Sequence, residues 1–534
     1  MKKIVIVGGG AAGWMTASYL AKFHDDAEVC LIESASIPTI GVGESVTPHV
    51  SAFLSELGIS KHHWMKHTGA VYKFGNKFTN WAYGKGESEY FSFTYSIPEE
   101  NYFKDITPVQ KITDFKPRRK NSGNRSIDHI AQMYVDGDIT RFDQYAHSQF
   151  HYMDKNVAPF NNESLILNQP WSFTHHINAE LLGSYLKENI ALLNGVQHIR
   201  ATVQDITHTN DVIESLTLDN GQIIVADLFV DCTGFHKKLV NTLGWQQKIY
   251  HDHPIKAAWV CQTEYNDPCH EMLNYSESIA EPYGWRFRIG LYHRMGNGYC
   301  FSPDHVSEQD ALTYFEKQIG PQRRPPKLIK WTPSRLVDFA KGNVVAIGLS
   351  TGFVEPMEAN QLYNIISGIR RLSNVVKKSR QNWIWDTYNK EAAFAVDDCA
   401  EFLLAHYTLT SREDTEFWRD MKSLGEKLNH HDMILNKIKD PRNSVFESIA
   451  GRTLFPDYMW MQMAVAWGHY PTTDLDKTKH DLAKLVINST EQKHNIVSTV
   501  MMNNREWHKK YIFDNIDSLQ WEKQYLKTDW YESK

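Results

Sequence analysis

Apolar and polar positions alternate along this chain in three ways, and each predicts a different kind of element. The first is the short unbroken apolar run. Ile4 to Val7, Val29 to Ile32, Leu228 to Val230 and Val344 to Ile347 are each bounded by polar or glycine residues. Runs of this length read as strands buried on both faces of a parallel sheet. The second is alternation of period two. In Val71 to Trp81 it puts Tyr72, Phe74 and Phe78 on one face of a single strand and Lys73, Gly75, Lys77 and Thr79 on the other. Trp285, Phe287 and Ile289 likewise share a face. The third is helical spacing. It is predicted over Trp14 to Phe23, over Ala179 to Leu193 behind an Asn178 N-cap, from the Asn360–Gln361 region to Lys378, and over most of 383–534, where Trp383 and Trp385 read as helix packing. A hairpin, Val212 to Leu218 and Gln222 to Val225, is expected to turn at Asn220-Gly221 in type I′ geometry.

The glycines change the picture. Lys3 to Gly13 reads Lys-Ile-Val-Ile-Val-Gly-Gly-Gly-Ala-Ala-Gly, a buried strand feeding a glycine turn and then a helix. Gly8 permits the bend, Gly10 lets backbone approach a pyrophosphate, and Gly13 lets the helix pack closely with its N-terminus toward the phosphates; Ala11 and Ala12 complete that turn. Glu33 closes the second strand twenty residues on, where a ribose hydroxyl needs an acceptor. Two later strands return to a glycine in the same way, ending at Gly234 and at Gly348 with Leu349. A second GxGxxG with its strand and acid does not occur. The chain is therefore built for one dinucleotide, and its reducing equivalents come from outside.

Length, charge and composition exclude more than they assign. The 534 residues carry a net charge of −6 with no basic stripe, which argues against nucleic acid as a partner. No apolar run approaches a membrane span, and a fingerprint starting at residue 3 leaves no room for a signal peptide, so a cytoplasmic protein is expected. Six cysteines without CxxC spacing read as buried thiols. The adjacent histidine pairs at 62, 175 and 430 read as surface or local hydrogen-bonding groups, and no metal site is expected. Lys73 and Lys77 admit two readings. On a solvent face they are solvated charges, which the pattern alone favours; on a cavity wall they become hydrogen-bond donors.

Taken in order, Gly8 to Trp14, Gly41-Val42-Gly43-Glu44, Lys73 to Trp81, Asp231-Cys-Thr-Gly234, Gly348 to Glu358, Ala405-His-Tyr407 and Ser411 to Trp418 resemble the flavin-dependent tryptophan halogenase family. The resemblance implies FAD, used as FADH2 and cradled by these glycine turns, by Glu33 and by the 41–44 loop. It implies that O2 and a halide (bromide or chloride) yield hypohalous acid in a closed site, and that this oxidant travels to a lysine beside an aromatic substrate. Lys73 matches that lysine, which overturns its solvated reading, while Lys77 matches a structural one. Glu358 matches the glutamate that stabilises the arenium intermediate and accepts its proton.

Three departures bear on function. The family's WxWxIP segment is Trp285-Arg-Phe287-Arg-Ile-Gly290 here, which keeps direct oxygenation by a flavin monooxygenase open as an alternative. The halide-binding Ser-Thr-Gly becomes Ala-Asn360-Gln361, whose backbone N–H groups still suit an anion, although the change also leaves a catalytically silent flavin-binding relative as a reading. The tyrosine and glutamate clamp for free tryptophan is not matched by Glu447 and Tyr458, and Trp460 with a Met-rich run fills that region. An indole or other electron-rich arene is expected as substrate, a separate NAD(P)H-dependent flavin reductase as supplier, and a homodimer as a family expectation. The expected fold is α/β: a FAD-binding Rossmann-like module (GR2-type flavoprotein) with an interleaved substrate-binding region and a mostly helical C-terminal part. The expected division is 1–81 (first part of the FAD module with the lysine strand), 82–170 (a covering insertion), 171–380 (second part with the halide loop) and 381–534 (helical, substrate side).

Overall fold

The computed structural model describes residues 1–35, 43–82, 89–92, 130, 133–134, 136–146, 149–160, 173–378, 382–439, 455, 457–469, 497 and 501–526. Gly41, Val42, Glu447 and most of the 82–170 insertion lie outside these residues. The chain separates into two compact units, each assembled from three stretches. One comprises Met1–Ala70, Ile177–Lys256 and Lys330–Ala400; the other comprises Val71–His176, Ala257–Ile329 and Glu401–Lys534.

The first unit is built on a six-stranded sheet in the order Ala340–Lys341, Val344–Ala346, Leu228–Asp231, Lys2–Val7, Ala27–Glu33, Gln197–Arg200. All of its pairings are parallel except the one between Ala340–Lys341 and Val344–Ala346. The predicted apolar runs are these strands, and Ile4, Val5, Leu31, Leu228, Phe229 and Val345 retain no exposure. Burial on both faces is what an unbroken apolar run specifies. Register aligns Val7 with Asp231 and Asp231 with Ala346, so the chain leaves the sheet at one level on three neighbouring strands. Asn178 caps its helix as expected, its side chain accepting from the N–H groups of Glu180 and Leu181. That α-helix ends at Leu186 and continues as a π-helical turn, Lys187–Ala191.

The hairpin turn differs from the I′ expectation. Gly221 has φ of +81°, whereas Asn220 does not lie in the left-handed region. The Gly221 N–H donates to Leu218 O, and the Leu218 N–H donates to Gln222 O. The loop therefore has three residues, Asp219 to Gly221, closing through a left-handed glycine bulge, and that geometry needs positive φ only at Gly221. Trp383 and Trp385 also differ, because they precede the helix Asp386–Thr408. Their indole N–H groups donate to the backbone carbonyls of Asp227 and Gly342 while the rings stack 6.1 Å apart, so packing is still their role.

In the second unit the main sheet has the strand order Ala257–Thr263, Met295–Phe301, Gly284–Gly290, Tyr275–Glu281, Gly75–Thr79, Glu89–Ser92, with Lys327–Lys330 on the outer edge beside Ala257–Thr263. The segment expected to be one strand from Val71 to Trp81 is two. Val71–Lys73 pairs antiparallel with the strand starting at Thr174, and Gly75–Thr79 pairs parallel with Tyr275–Glu281. The switch of sheets occurs at Phe74, whose N–H donates to Asn274 O. A break of this kind leaves period-two patterning intact on both sides and cannot be seen in it.

Candidate functional site

In the first unit the three strand ends meet as glycine turns. A Cβ on Gly8 (φ +115°) would lie 2.3 Å from Cys232 O, and one on Gly13 only 1.9 Å from Gly8 O. Gly13 thus allows the first turn of helix Ala11–Phe23 to rest directly on the bend that precedes it. Ala12 in that turn faces Gly348 (φ +80°), where a Cβ would approach the Ala12 methyl to 2.9 Å. A Cβ on Gly9 would fall 2.2 Å from Glu33 Cδ, so the carboxyl of Glu33 lies against the bare backbone of the turn. Gly8, Gly10, Ala11, Ala12, Gly13, Glu33, Gly348 and Leu349 are brought together at the carboxyl ends of parallel strands. A dinucleotide binds at such an edge in doubly wound folds. The donor set fits FAD: free N–H groups at a helix start for pyrophosphate, a carboxylate for ribose, and glycines where any side chain would intrude.

Asp231 knits this edge. The carboxylate is fully buried; Oδ1 accepts from Thr233 N–H at 2.9 Å, Thr233 Oγ1 at 2.6 Å and Ser350 Oγ at 2.9 Å. Oδ2 accepts from Leu239 and Val240 N–H at 2.9 and 3.1 Å. One side chain therefore ties the strand end to both later glycine turns and to the helix Lys238–Thr242.

Gly43 (φ +109°) and Glu44 lead into the two-residue strand Glu44–Ser45, which lies against the turn Met357–Ala359. Enclosure pushes the Glu44 carboxyl up to about 7. Glu358 is buried, and both it and Ala359 have left-handed backbone, φ +62° and +57°. Two successive non-glycine residues in that region are costly, about 1–3 kcal/mol each, and such strain concentrates at functional turns. The helix Asn360–Lys378 starts immediately after, so the N–H groups of Asn360 and Gln361 are among those with no partner inside the helix. The Asn360 amide is turned back toward Met357 O at 3.5 Å. Cys399 lies beside it; burial pushes that thiol well above its ordinary range, with the carboxylates of Asp398, Glu355 and Glu358 adding to the effect.

The second unit holds Lys73, Trp285, Phe287 and Trp460. Lys73 has no exposure, against the solvated reading, whereas Lys77 is half-buried. Its strand is anchored residue by residue. Lys73 sits opposite Thr174 and Val71 opposite His176, while Tyr72 N–H donates to His508 Nε2 at 2.9 Å. His176 Nδ1–H donates to Gly290 O at 3.0 Å, which leaves Nε2 to accept from Ser276 Oγ at 2.9 Å. Burial first, and then the Lys73 ammonium, lower His176 to about 3. The 175–176 pair is therefore not at the surface: both rings are fully buried, because the strand they occupy is covered on both faces. Tyr72, on the face opposite Lys73, packs 5.0 Å from His175. Trp285 packs 6.0 Å from Phe287 and 6.4 Å from Trp81. From Trp81 an aromatic series runs through His406 and Phe402 to Trp460, with centroid separations of 5.9, 4.9 and 4.7 Å. Among the described residues, no three of His, Cys, Asp and Glu are grouped to hold a metal, and no helix is long and apolar enough to cross a membrane.

A family model described as tryptophan halogenase matches residues 3–481. The chain belongs to the tryptophan halogenase family. Within that family it is 31% identical over 432 residues to tryptophan 7-halogenase RebH of Lentzea aerocolonigenes, covering 79% of each chain. Its fold is similar to the solved structure of tryptophan 6-halogenase SttH from Streptomyces toxytricini, with a TM-score of 0.82, 25% identity and coverage of 96% and 99%. It is also similar to BrvH, a flavin-dependent halogenase from Brevundimonas sp. BAL3, with a TM-score of 0.80, 25% identity and coverage of 96% and 99%. The α/β, FAD-binding Rossmann-like fold read from the glycine turns is the fold of this family, and the protein is an enzyme of flavin-dependent halogenation of aromatic substrates. Asp231, His176 and His508 carry much of the site's organisation without standing out as individual residues in the sequence. Asp231 has a weak local signal, an acid at the end of an apolar run before Thr-Gly; the histidines act through partners remote in sequence and have none.

Proposed function

We propose that this enzyme uses FADH2, O2 and a halide to make hypohalous acid and transfers the halogen to an electron-rich, indole-like arene through Lys73. A separate NAD(P)H-dependent reductase supplies the reduced flavin. The observation that carries this reading is the complete burial of Lys73 on a strand anchored by His176, His508 and Asn274. Removing an ammonium from water carries a penalty of several kcal/mol, which a lysine serving only as a solvated surface charge would not incur. Reduced FAD, when bound, would supply the two electrons that let O2 act as the oxidant of the halide, one oxygen atom ending in hypohalous acid and the other in water. The residues from Gly8 to Gly13, with Glu33, Gly43, Glu44, Gly348 and Leu349, bind and orient it. The backbone N–H groups of Asn360 and Gln361 hold the halide, because amides at a helix start serve an anion whatever their side chains. Lys73 holds hypohalous acid by hydrogen bonding, or takes the halogen on Nζ, and presents it to the substrate ring. Glu358, buried on the left-handed turn, offsets the positive charge of the arenium and accepts its proton. Trp285, Phe287 and Trp460 shape the apolar side of the arene site. The enzyme works as a homodimer in the cytoplasm in this proposal.

The test is a product assay with reduced FAD and O2, run with bromide, with chloride and without halide across indoles, phenols and tryptophan. A halogenated product that disappears in Lys73→Ala, while flavin reoxidation continues at its former rate, is the expected result. The Phe287 and Gly290 departures favour the monooxygenase as the competing reading, and a halide-independent oxygenated product establishes that instead.

A further inference from the structure

We propose that His198 is a positioning residue for the adenosine half of the flavin, holding one oxygen of Glu33 so that the other is presented to the ribose. The inference rests on reading Gly8 to Gly13 with Glu33 as the dinucleotide cradle. His198 lies on the strand Gln197–Arg200, paired in parallel with Ala27–Glu33 so that Leu31 is opposite His198 and Glu33 opposite Arg200. Residues two apart share a face, so His198 and Glu33 project to the same side as diagonal neighbours. The two carboxylate oxygens of Glu33 have separate surroundings. Oε2 accepts from His198 Nε2–H at 2.9 Å and has the Lys187 ammonium 3.9 Å away. Oε1 lies at the glycine turn, 2.4 Å from where a Gly9 Cβ would stand.

The donor is itself confined. Trp14, in the first turn of the helix that follows the glycines, meets the His198 ring edge to face at 5.1 Å, and the Lys187 ammonium lies over the same indole at 5.2 Å. Lys187 opens the π-helical turn, a geometry that recurs at functional sites because it re-aims side chains. Burial and Lys187 hold the imidazole below its ordinary value against the opposing pull of Glu33; because a carboxylate oxygen accepts, the proton is on the ring nitrogen that faces it. Without His198 only the Lys187 ammonium, 3.9 Å away, holds Oε2, and the oxygen meant for ribose is less closely fixed.

FAD carries the adenosine ribose and FMN does not, so the two flavins separate this role from general damage. Affinities of the full-length apoprotein for each are measured by quenching of flavin fluorescence. His198→Ala is expected to weaken FAD binding by ~2–10-fold, the cost of re-ordering the released Glu33 side chain when the ribose binds, with FMN affinity unchanged. His198→Gln, which restores a donor, is expected to recover the parent's FAD affinity. In a Glu33→Ala background the His198 substitution should add nothing. Unchanged FAD affinity in His198→Ala alongside weakened binding in Glu33→Ala overturns the inference and leaves the cradle standing. Unchanged FAD affinity in Glu33→Ala overturns both. An equal loss for FAD and FMN, or no recovery with Gln, reduces His198 to a structural residue.

Discussion

Replacing Asp231 by Asn keeps the shape of the side chain and reverses the polarity of one oxygen, which makes it a sharp test of how the flavin edge is held. In the parent, five donors converge on the carboxylate: three backbone N–H groups and two hydroxyls. If the new NH2 takes the place of Oδ2, it confronts the N–H groups of Leu239 and Val240, which cannot turn away. In the place of Oδ1 it confronts Thr233 N–H, while the two hydroxyls can rotate to accept. The second orientation is therefore adopted, with one buried N–H orphaned at a cost of about 1–3 kcal/mol and the charge assistance lost from the remaining bonds. The expected destabilisation is about 3 kcal/mol, which for a unit of roughly 200 residues lowers Tm by about 6–12 °C. Thermal denaturation followed by tryptophan fluorescence measures it, with Ser350→Ala as the calibrating variant at about 1 kcal/mol, since that change removes one donor and orphans none of the backbone. FAD affinity should fall with Asp231→Asn, because the turns carrying Gly234 and Gly348 are both tied to this carboxylate. A Tm within about 2 °C of the parent, with FAD binding intact, would refute the view that Asp231 organises the edge.

Enclosure raises Glu44 from its ordinary 4.5 to about 7, so the unfolded chain loses this proton first and stability falls as pH rises from about 4.5 to 7. Glu44→Gln should flatten that interval in urea titrations and raise stability at pH 8; an unaltered profile would show that the carboxyl is not enclosed. His508 runs the other way. Its Nδ1–H donates to Asn504 O, and burial lowers it from 6.5 to about 3, so the stability it contributes is present above pH 6.5 and is lost as pH falls toward 3. His508→Gln should make acid denaturation shallower by at most about 1.4 kcal/mol per pH unit in that window; an equally steep acid limb contradicts a neutral imidazole. Gly13→Ala forces a methyl to within 1.9 Å of Gly8 O, where backbone cannot give way, and should cost about 1–3 kcal/mol together with most FAD affinity by the fluorescence assay. Normal flavin binding there would mean that the turn and helix are not as closely packed as described.

What can be read in this chain before its structure divides along a physical line. Strands buried on both faces announce themselves, because Ile4 to Val7 has no polar residue to place; so does the Asn178 cap, whose partners are two and three residues away. Features fixed by contacts remote in sequence do not. Nothing near Phe74 marks the change of sheet, since the residue that receives its N–H is Asn274, and nothing near Tyr72 points to His508, 436 positions away. The left-handed backbone at Glu358 and Ala359 is equally silent, because neither residue type favours it and the surrounding fold imposes it. Lys73 is the instructive case. Alternation assigns it correctly to the face opposite Tyr72 and then suggests solvent, because lysine is usually solvated; what covers that face is set by Thr174, His176 and elements far along the chain. Periodicity tells which residues share a side, but whether that side is wet depends on tertiary packing. A buried cation beside the neutral imidazole of His176 is thus visible only once the fold is assembled. That also explains why motif order, which carries information about the whole assembly, assigned Lys73 a buried role when its own strand pattern did not.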